Sequence, residues 1–81
     1  MNVRFLMSAN ADVAEFIAKE GSKVTQKPVK ELGMPIGVTI GGLVRGEEGM
    51  LVSGNTQIAP GDSVMVFCHN INMKKIEKYF I

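Results

Sequence analysis

The sequence predicts an α+β domain: a small, mostly antiparallel β-sheet with a short helix after the first strand and a second helix at the C-terminus. Three observations point there. Apolar runs of strand length recur between clusters of Gly, Pro, Asn and Ser. A polar, Gly-bounded turn, Gly46-Glu47-Glu48-Gly49, separates two of those runs, which is a hairpin signal. Near the C-terminus Met73, Ile76 and Phe80 recur at helical spacing, with Lys74, Lys75 and Lys78 off that stripe.

The elements follow in order. Residues 1–12 read as the remnant of a linker from a longer protein, because Val3, Phe5, Leu6 and Met7 form no capped start. The domain itself is assigned to residues 13–81. Val13–Ala18 reads as a strand with a small apolar side at Phe16 and a charge at Glu15 on the other, although its alanines leave a helix open. Gly21-Ser22 ends it. Pro28–Leu32 reads as a short helix. Proline suits the first helical position, Val29 and Leu32 share a face, and Gly33 followed by Pro35 stops the helix. So short a helix needs a sheet to dock on.

Val38–Arg45 is the second strand, and strict alternation puts Val38, Ile40, Gly42 and Val44 on one side. Thr39, Gly41, Leu43 and Arg45 fall on the other. The Gly41-Gly42 pair lets a backbone or a ligand approach closely. Met50–Val52 is the expected return strand. After the polar stretch Ser53–Gln57 and the apolar anchor Ile58, Ala59-Pro60-Gly61-Asp62 meets the residue demand of a type II turn. Ser63–Cys68 is apolar on both faces, so it is central or covered on both sides. Asn70 or Asn72 caps the terminal helix, Met73 to about Phe80.

With 81 residues there is room for one small domain. Such a domain buries only roughly 60% of the surface of its unfolded chain. A disulfide within the chain is excluded, because Cys68 is the single cysteine. The adjacent His69 is the single histidine, and a closed zinc site needs four ligands. Oligomerisation is the remaining source of buried surface, so a homodimer is expected. A net charge of +1 lacks the basic surplus of a nucleic-acid binder. The apolar runs are far below the roughly 20 residues that span a bilayer. No signal peptide is visible, and a lone cysteine fits a reducing, cytoplasmic setting.

Residues that carry chemistry are few. Cys68 and His69 are neighbours, so a strand points them to opposite faces, and neither has a third group to orient a nucleophile. Glu47 and Glu48 read as a solvated hairpin tip; a divalent-cation site there needs several more oxygen ligands. Lys74, Lys75 and Lys78, with Glu77 among them, read as a solvated helix face. The spacing of Gly37, Gly41, Gly42 and Gly46 fits no phosphate-binding loop. No catalytic constellation remains, and the chain is not expected to be an enzyme.

One family does fit the ordered set of segments. Gly37–Arg45, then Met50-Leu51-Val52, then Gln57–Asp62 and Ser63–Phe67, resemble the C-terminal domain of TrkA-like proteins, the C-terminal RCK domain. Lys30-Glu31-Leu32, Arg45, Ile58–Val64 and the terminal helix match the corresponding parts of the family pattern. The resemblance implies a cytoplasmic regulatory domain, peripheral to the inner face of the membrane in the full-length protein. It implies a homodimer and, through the full-length protein, a membrane potassium transporter or channel subunit as partner. It also implies an effector bound between subunits, cyclic di-AMP in some relatives and a cation in others. No cofactor is assigned to this chain, because the Gly-rich dinucleotide loop of full-length relatives is absent from it.

A two-fold axis lines a cleft twice with the same residues. The expected ligand site is Met34, Pro35, Ile36, Gly37, Val38 and Thr39: apolar walls, a rigid proline, exposed backbone N–H groups at Gly37 and Val38, and one hydroxyl. That mix suits a nucleobase. The plainer reading is a tight connection packed in the dimer core.

Overall fold

The computed structural model describes residues 2–5, 11–69 and 71–81. Five strands form one antiparallel sheet in the order β1-β2-β5-β3-β4. They are β1 Asn2–Phe5, β2 Ala11–Ile17, β3 Val38–Arg45, β4 Glu48–Leu51 and β5 Ser63–His69. β5 is central, as its two apolar sides suggested, with β2 on one flank and β3 on the other. β1 pairs with β2 from Asn2 opposite Glu15 to Phe5 opposite Asp12, so the sheet extends into residues to which the sequence assigned no element.

One face of the sheet is closed. Ala14 and Phe16 of β2, Val64, Val66 and Cys68 of β5, and Ile40 and Leu43 of β3 are buried on it. Above them lie the 18–37 connection, the 52–62 loop, the terminal helix α1, Met73–Glu77, and the turn after it, which supply Val24, Ile58, Ile76 and Phe80 to the same core. The Phe16 and Phe80 rings stack at 4.8 Å and 11°.

Three local expectations are corrected. The helix expected at Pro28–Leu32 is a single 3-10 turn, Val29–Glu31, preceded by another at Lys23–Thr25. The amides of Val29 and Lys30 reach across to the carbonyls of Thr56 (3.0 Å) and Gly54 (2.9 Å). Only Glu31 and Leu32 bond back, to Pro28 and Val29, three residues behind. Gly33, at φ 64°, ends the segment right after Leu32, which leaves no length for an α-helical ladder. The hairpin turn contracts to Gly46-Glu47, and Glu48 and Gly49 join β4 opposite Arg45 and Val44. Finally, a bulge between Ile40 and Gly42 breaks the strict alternation of β3. It carries Leu43 into the core at 2% exposure and turns Val44 out at 41%.

Two expected local features are present. Asp62 N–H bonds the Ala59 carbonyl at 3.1 Å and Gly61 sits at φ 89°, which is the type II geometry. The side chain of Asn72 caps α1 by accepting from the Lys74 amide at 2.9 Å. Beyond Glu77, Tyr79 and Phe80 bond three residues back, so the last turn tightens and the helix is shorter than its apolar stripe.

Candidate functional site

The segment 34–39 divides its side chains between core and solvent. Met34 and Val38 are half-buried and pack against the core. Pro35 is half-buried, while Ile36 is fully exposed. Gly37 adopts φ 94°, and a Cβ there would lie 2.6 Å from the His69 carbonyl oxygen. That close approach lets the Gly37 carbonyl accept the His69 amide at 2.8 Å, which anchors the segment to the end of β5. The Val38 N–H, expected to be exposed to a ligand, donates to the Pro35 carbonyl at 3.2 Å. Thr39 is exposed on the open face of the sheet, opposite Phe67. The structure thus sets Ile36 and Thr39 toward solvent and Met34 and Val38 toward the core.

The electrostatic centre lies at the other end of β3. Arg45 clamps Asp62 with two hydrogen bonds, Nε to Oδ1 at 2.9 Å and Nη2 to Oδ2 at 2.7 Å. The same Nη2 donates to the Gln57 carbonyl at 3.2 Å, and Oδ2 accepts the Ala59 amide at 2.8 Å. Gln57 in turn donates from its side chain to the Thr25 carbonyl at 2.7 Å. One guanidinium therefore joins the hairpin, the 59–62 turn and, through Gln57, the 3-10 segment. Asp62 is 1% exposed, and a carboxylate so buried needs such partners. The hydrogen bond from Arg45 holds the Asp62 carboxyl below the usual aspartate range against the opposing effect of burial, and the Ala59 amide adds to it. The same bond raises the Arg45 guanidinium. The sequence contained both residues as matches to a family pattern, but nothing in their spacing paired them.

Cys68 is buried, and burial first, then the nearby Asp12 charge, pushes its thiol up. A thiol so placed stays protonated and packs as a small apolar group. Among the described residues no three His, Cys, Asp or Glu side chains gather as metal ligands. Two open clefts sit away from residues 34–39. One of about 170 Å³ is lined by Lys23, Gln26, Lys27, Glu31 and Leu32. The other, about 260 Å³, lies between Phe16, Ile17, Phe80 and Ile81 with Lys19 and Glu77 at its rim. No helix among the described residues is long and apolar enough to cross a membrane.

Comparison with known proteins places this arrangement. The TrkA-C domain family model matches residues 13–81. The Trk system potassium uptake protein TrkA homolog 1 of Methanosarcina mazei is 33% identical over 70 residues, which cover 86% of this chain and 16% of that protein. The Trk system potassium uptake protein TrkA of Halomonas elongata is 33% identical over 70 residues, 83% of this chain and 15% of its own length. The protein of the same description from Vibrio alginolyticus is 34% identical over 73 residues, with 86% and 16% covered. The chain thus spans about one sixth of the length of these relatives.

Proposed function

The chain belongs to the TrkA-C domain family, and from that premise we propose that it is the regulatory, ligand-sensing and dimerising part of a cytoplasmic subunit that gates a potassium transporter or channel. The observation that carries this reading is the family match along residues 13–81, which takes in every element from the main part of β2 to α1. The potassium-uptake relatives supply the biological setting. The role is regulatory, not catalytic.

The mechanism is a population shift. An effector that binds one dimer geometry more tightly than another biases the attached transporter by that differential affinity and by no more. Residues 34–39 support an effector site through Ile36 and Thr39, an exposed apolar side chain and a hydroxyl close together on one connection. Cyclic di-AMP and a cation are the effectors to test.

Calorimetric titration of the purified chain with cyclic di-AMP, ATP, NAD and divalent cations is the test. Saturable binding of one ligand per dimer supports ligand sensing. Thr39→Ala then weakens binding about fivefold, the worth of one hydrogen bond, and unchanged affinity rejects Thr39 as a contact. A stable dimer that binds none of these ligands favours a second reading, a ligand-free dimerisation module holding the transporter-regulating ring together. The outward-facing apolar side chains of the sheet favour that reading.

A further inference from the structure

Charge is divided unevenly over the molecule. The layer above the core, residues 19–32 and 72–80, holds all seven lysines of the chain and three glutamates, a net +4. The rest of the chain holds two arginines against five carboxylates, a net −3. All seven lysines are exposed. The one salt bridge among the described residues joins Arg45 to Asp62, so no lysine is neutralised by a close carboxylate there.

The lysines gather on the outer side of α1. Ile76 is buried beneath the helix, so Lys74 and Lys78, two positions before and after it, point about 200° away, toward solvent. Lys75 falls on the flank where Tyr79 stands. Lys23 reaches the same place from the other segment: its ammonium lies 5.5 Å from the centre of the Tyr79 ring. The Val24 amide fixes that approach by donating to the Tyr79 carbonyl at 3.0 Å. Lys27 lies beyond Lys23, along a cleft whose one carboxylate is Glu31. Glu77 is on the opposite flank of α1, in the cleft with Lys19.

We propose that this lysine surface seats the domain directly on an anionic phospholipid membrane, through contact with headgroup phosphates. The choice of a membrane rests on the reading of the chain as part of a transporter-gating subunit, which works beside a leaflet rich in anionic lipid. Three features of the surface fit lipid. The first is residue type. Lysine is a compact, hydrated point charge on a flexible stem, suited to a field of phosphates with no fixed geometry. The arginine fork suits one fixed partner, and Arg45 is committed to Asp62. The second is the lack of an apolar anchor. All the large hydrophobic side chains exposed among the described residues lie outside 19–32 and 72–80. A folded protein partner draws its binding energy from such anchors, whereas attraction to headgroups needs charge alone. The third is relief. The clefts of about 170 and about 260 Å³ are open and smaller than the roughly 300–1,000 Å³ of small-molecule pockets, so neither encloses a soluble anion. The net −3 of the remaining chain is repelled by the same membrane, which turns the lysine layer toward it.

The test is cosedimentation of the full chain with vesicles of phosphatidylglycerol, against vesicles of phosphatidylcholine. Binding to phosphatidylglycerol alone is expected, and it falls away as salt rises from about 0.05 M to about 0.5 M. Each lysine near an anionic surface is worth about fivefold in affinity. Lys74→Gln with Lys78→Gln therefore weakens binding about 25-fold, and far-UV circular dichroism checks that the variant is folded. Adding Glu47→Lys, at the exposed hairpin tip, restores the net charge of +1 and leaves binding as weak as in the double variant. Equal binding to both vesicles, a double variant within twofold of the parent, or full rescue by Glu47→Lys overturns the assignment of this surface. Binding to soluble polyglutamate with none to either vesicle also overturns it, and gives the layer to an acidic protein partner. A chain that titrates with an effector but sediments with neither vesicle loses the lipid contact and keeps the regulatory role; one that binds phosphatidylglycerol and no effector does the reverse.

Discussion

The two faces of the sheet are built from the same strands, yet they have opposite fates. On the closed face Ala14, Val64 and Val66 are fully buried beneath Val24, Ile58, Ile76 and Phe80. On the open face, one residue away along each strand, Ile17 and Phe67 remain about half exposed and Leu51 almost entirely so. Both faces are apolar, so hydrophobicity does not distinguish them. What differs is the polypeptide available to cover them. The 18–37 connection and the C-terminal segment both pass over the same side, and their polar backbone groups are satisfied there: Lys19 and Val24 donate to the carbonyls of Phe80 and Tyr79. The closed face holds the fold together, and the open face keeps Ile17, Leu51 and Phe67 exposed.

Phe80→Ala is expected to break the comparison hardest. It removes the ring stacked on Phe16 and leaves a cavity in a small core, at a cost of about 3–5 kcal/mol. A domain of this size has about 5 kcal/mol or little more to lose, so thermal melts should show a chain largely unfolded at room temperature. A cooperative melt within a few degrees of the parent would mean that the closed face does not carry the stability assigned to it.

Gly37→Ala comes next. The residue sits in the left-handed region, and its Cβ would collide with a backbone oxygen, the His69 carbonyl. Backbone cannot move aside as a flexible side chain can, so the cost exceeds the roughly 1 kcal/mol of the conformation alone. The expected result in chemical denaturation is a loss of about 2 kcal/mol or more.

Asp62→Ala tests the clamp that ties the hairpin to the closed side. It deletes a buried acceptor of the Ala59 amide and the partner of Arg45, and a loss of about 1–3 kcal/mol is expected. The same group gives an acid limb. Its folded-state pKa lies below the unfolded value of about 3.9, so the unfolded chain takes up the proton first. The stabilisation is therefore present above the ordinary aspartate range and fades as pH falls through it toward the folded value. Melts of parent and Asp62→Asn from neutral pH to about pH 2 should converge at the acid end. A constant gap would remove the carboxylate from the account.

These expectations show where the sequence was legible. β3 appears at its expected bounds, Val38–Arg45, because β-branched residues and a Gly-bounded turn mark it on both sides. β5 and the Pro60-Gly61 turn were readable for the same local reasons. The helix expected at Pro28–Leu32 is a 3-10 turn because Glu31 and Leu32 bond three residues back, while the outward amides of Val29 and Lys30 tie it to Thr56 and Gly54, partners more than 20 residues away that no local pattern contains. The bulge at Gly41 is a middle case. The glycine pair announced a close approach, and the Phe67 ring provides it, 2.6 Å from where a Cβ would stand. Which later side chains would switch faces depended on pairing with β5. For the site, Thr39 and Ile36 lie outward as a binding reading needs, but the Val38 amide was lost to a turn that Pro35 completes.

The smallest effect sharpens the comparison most. Leu51→Ser alters a side chain that is 92% exposed, so in the isolated chain it should change stability by no more than about 0.5 kcal/mol. Dimerisation through the open face would add a condition to that null result. A dimer binds the folded state only, so it raises the melting temperature with concentration by mass action. At low chain concentration parent and Leu51→Ser should melt together. At high concentration the parent should melt higher and the variant should not follow. If the two curves rise together, Leu51 lies outside the interface. If the variant melts lower even at the lowest concentration, Leu51 is part of the fold, and the division between a face that folds and a face that associates does not hold at β4.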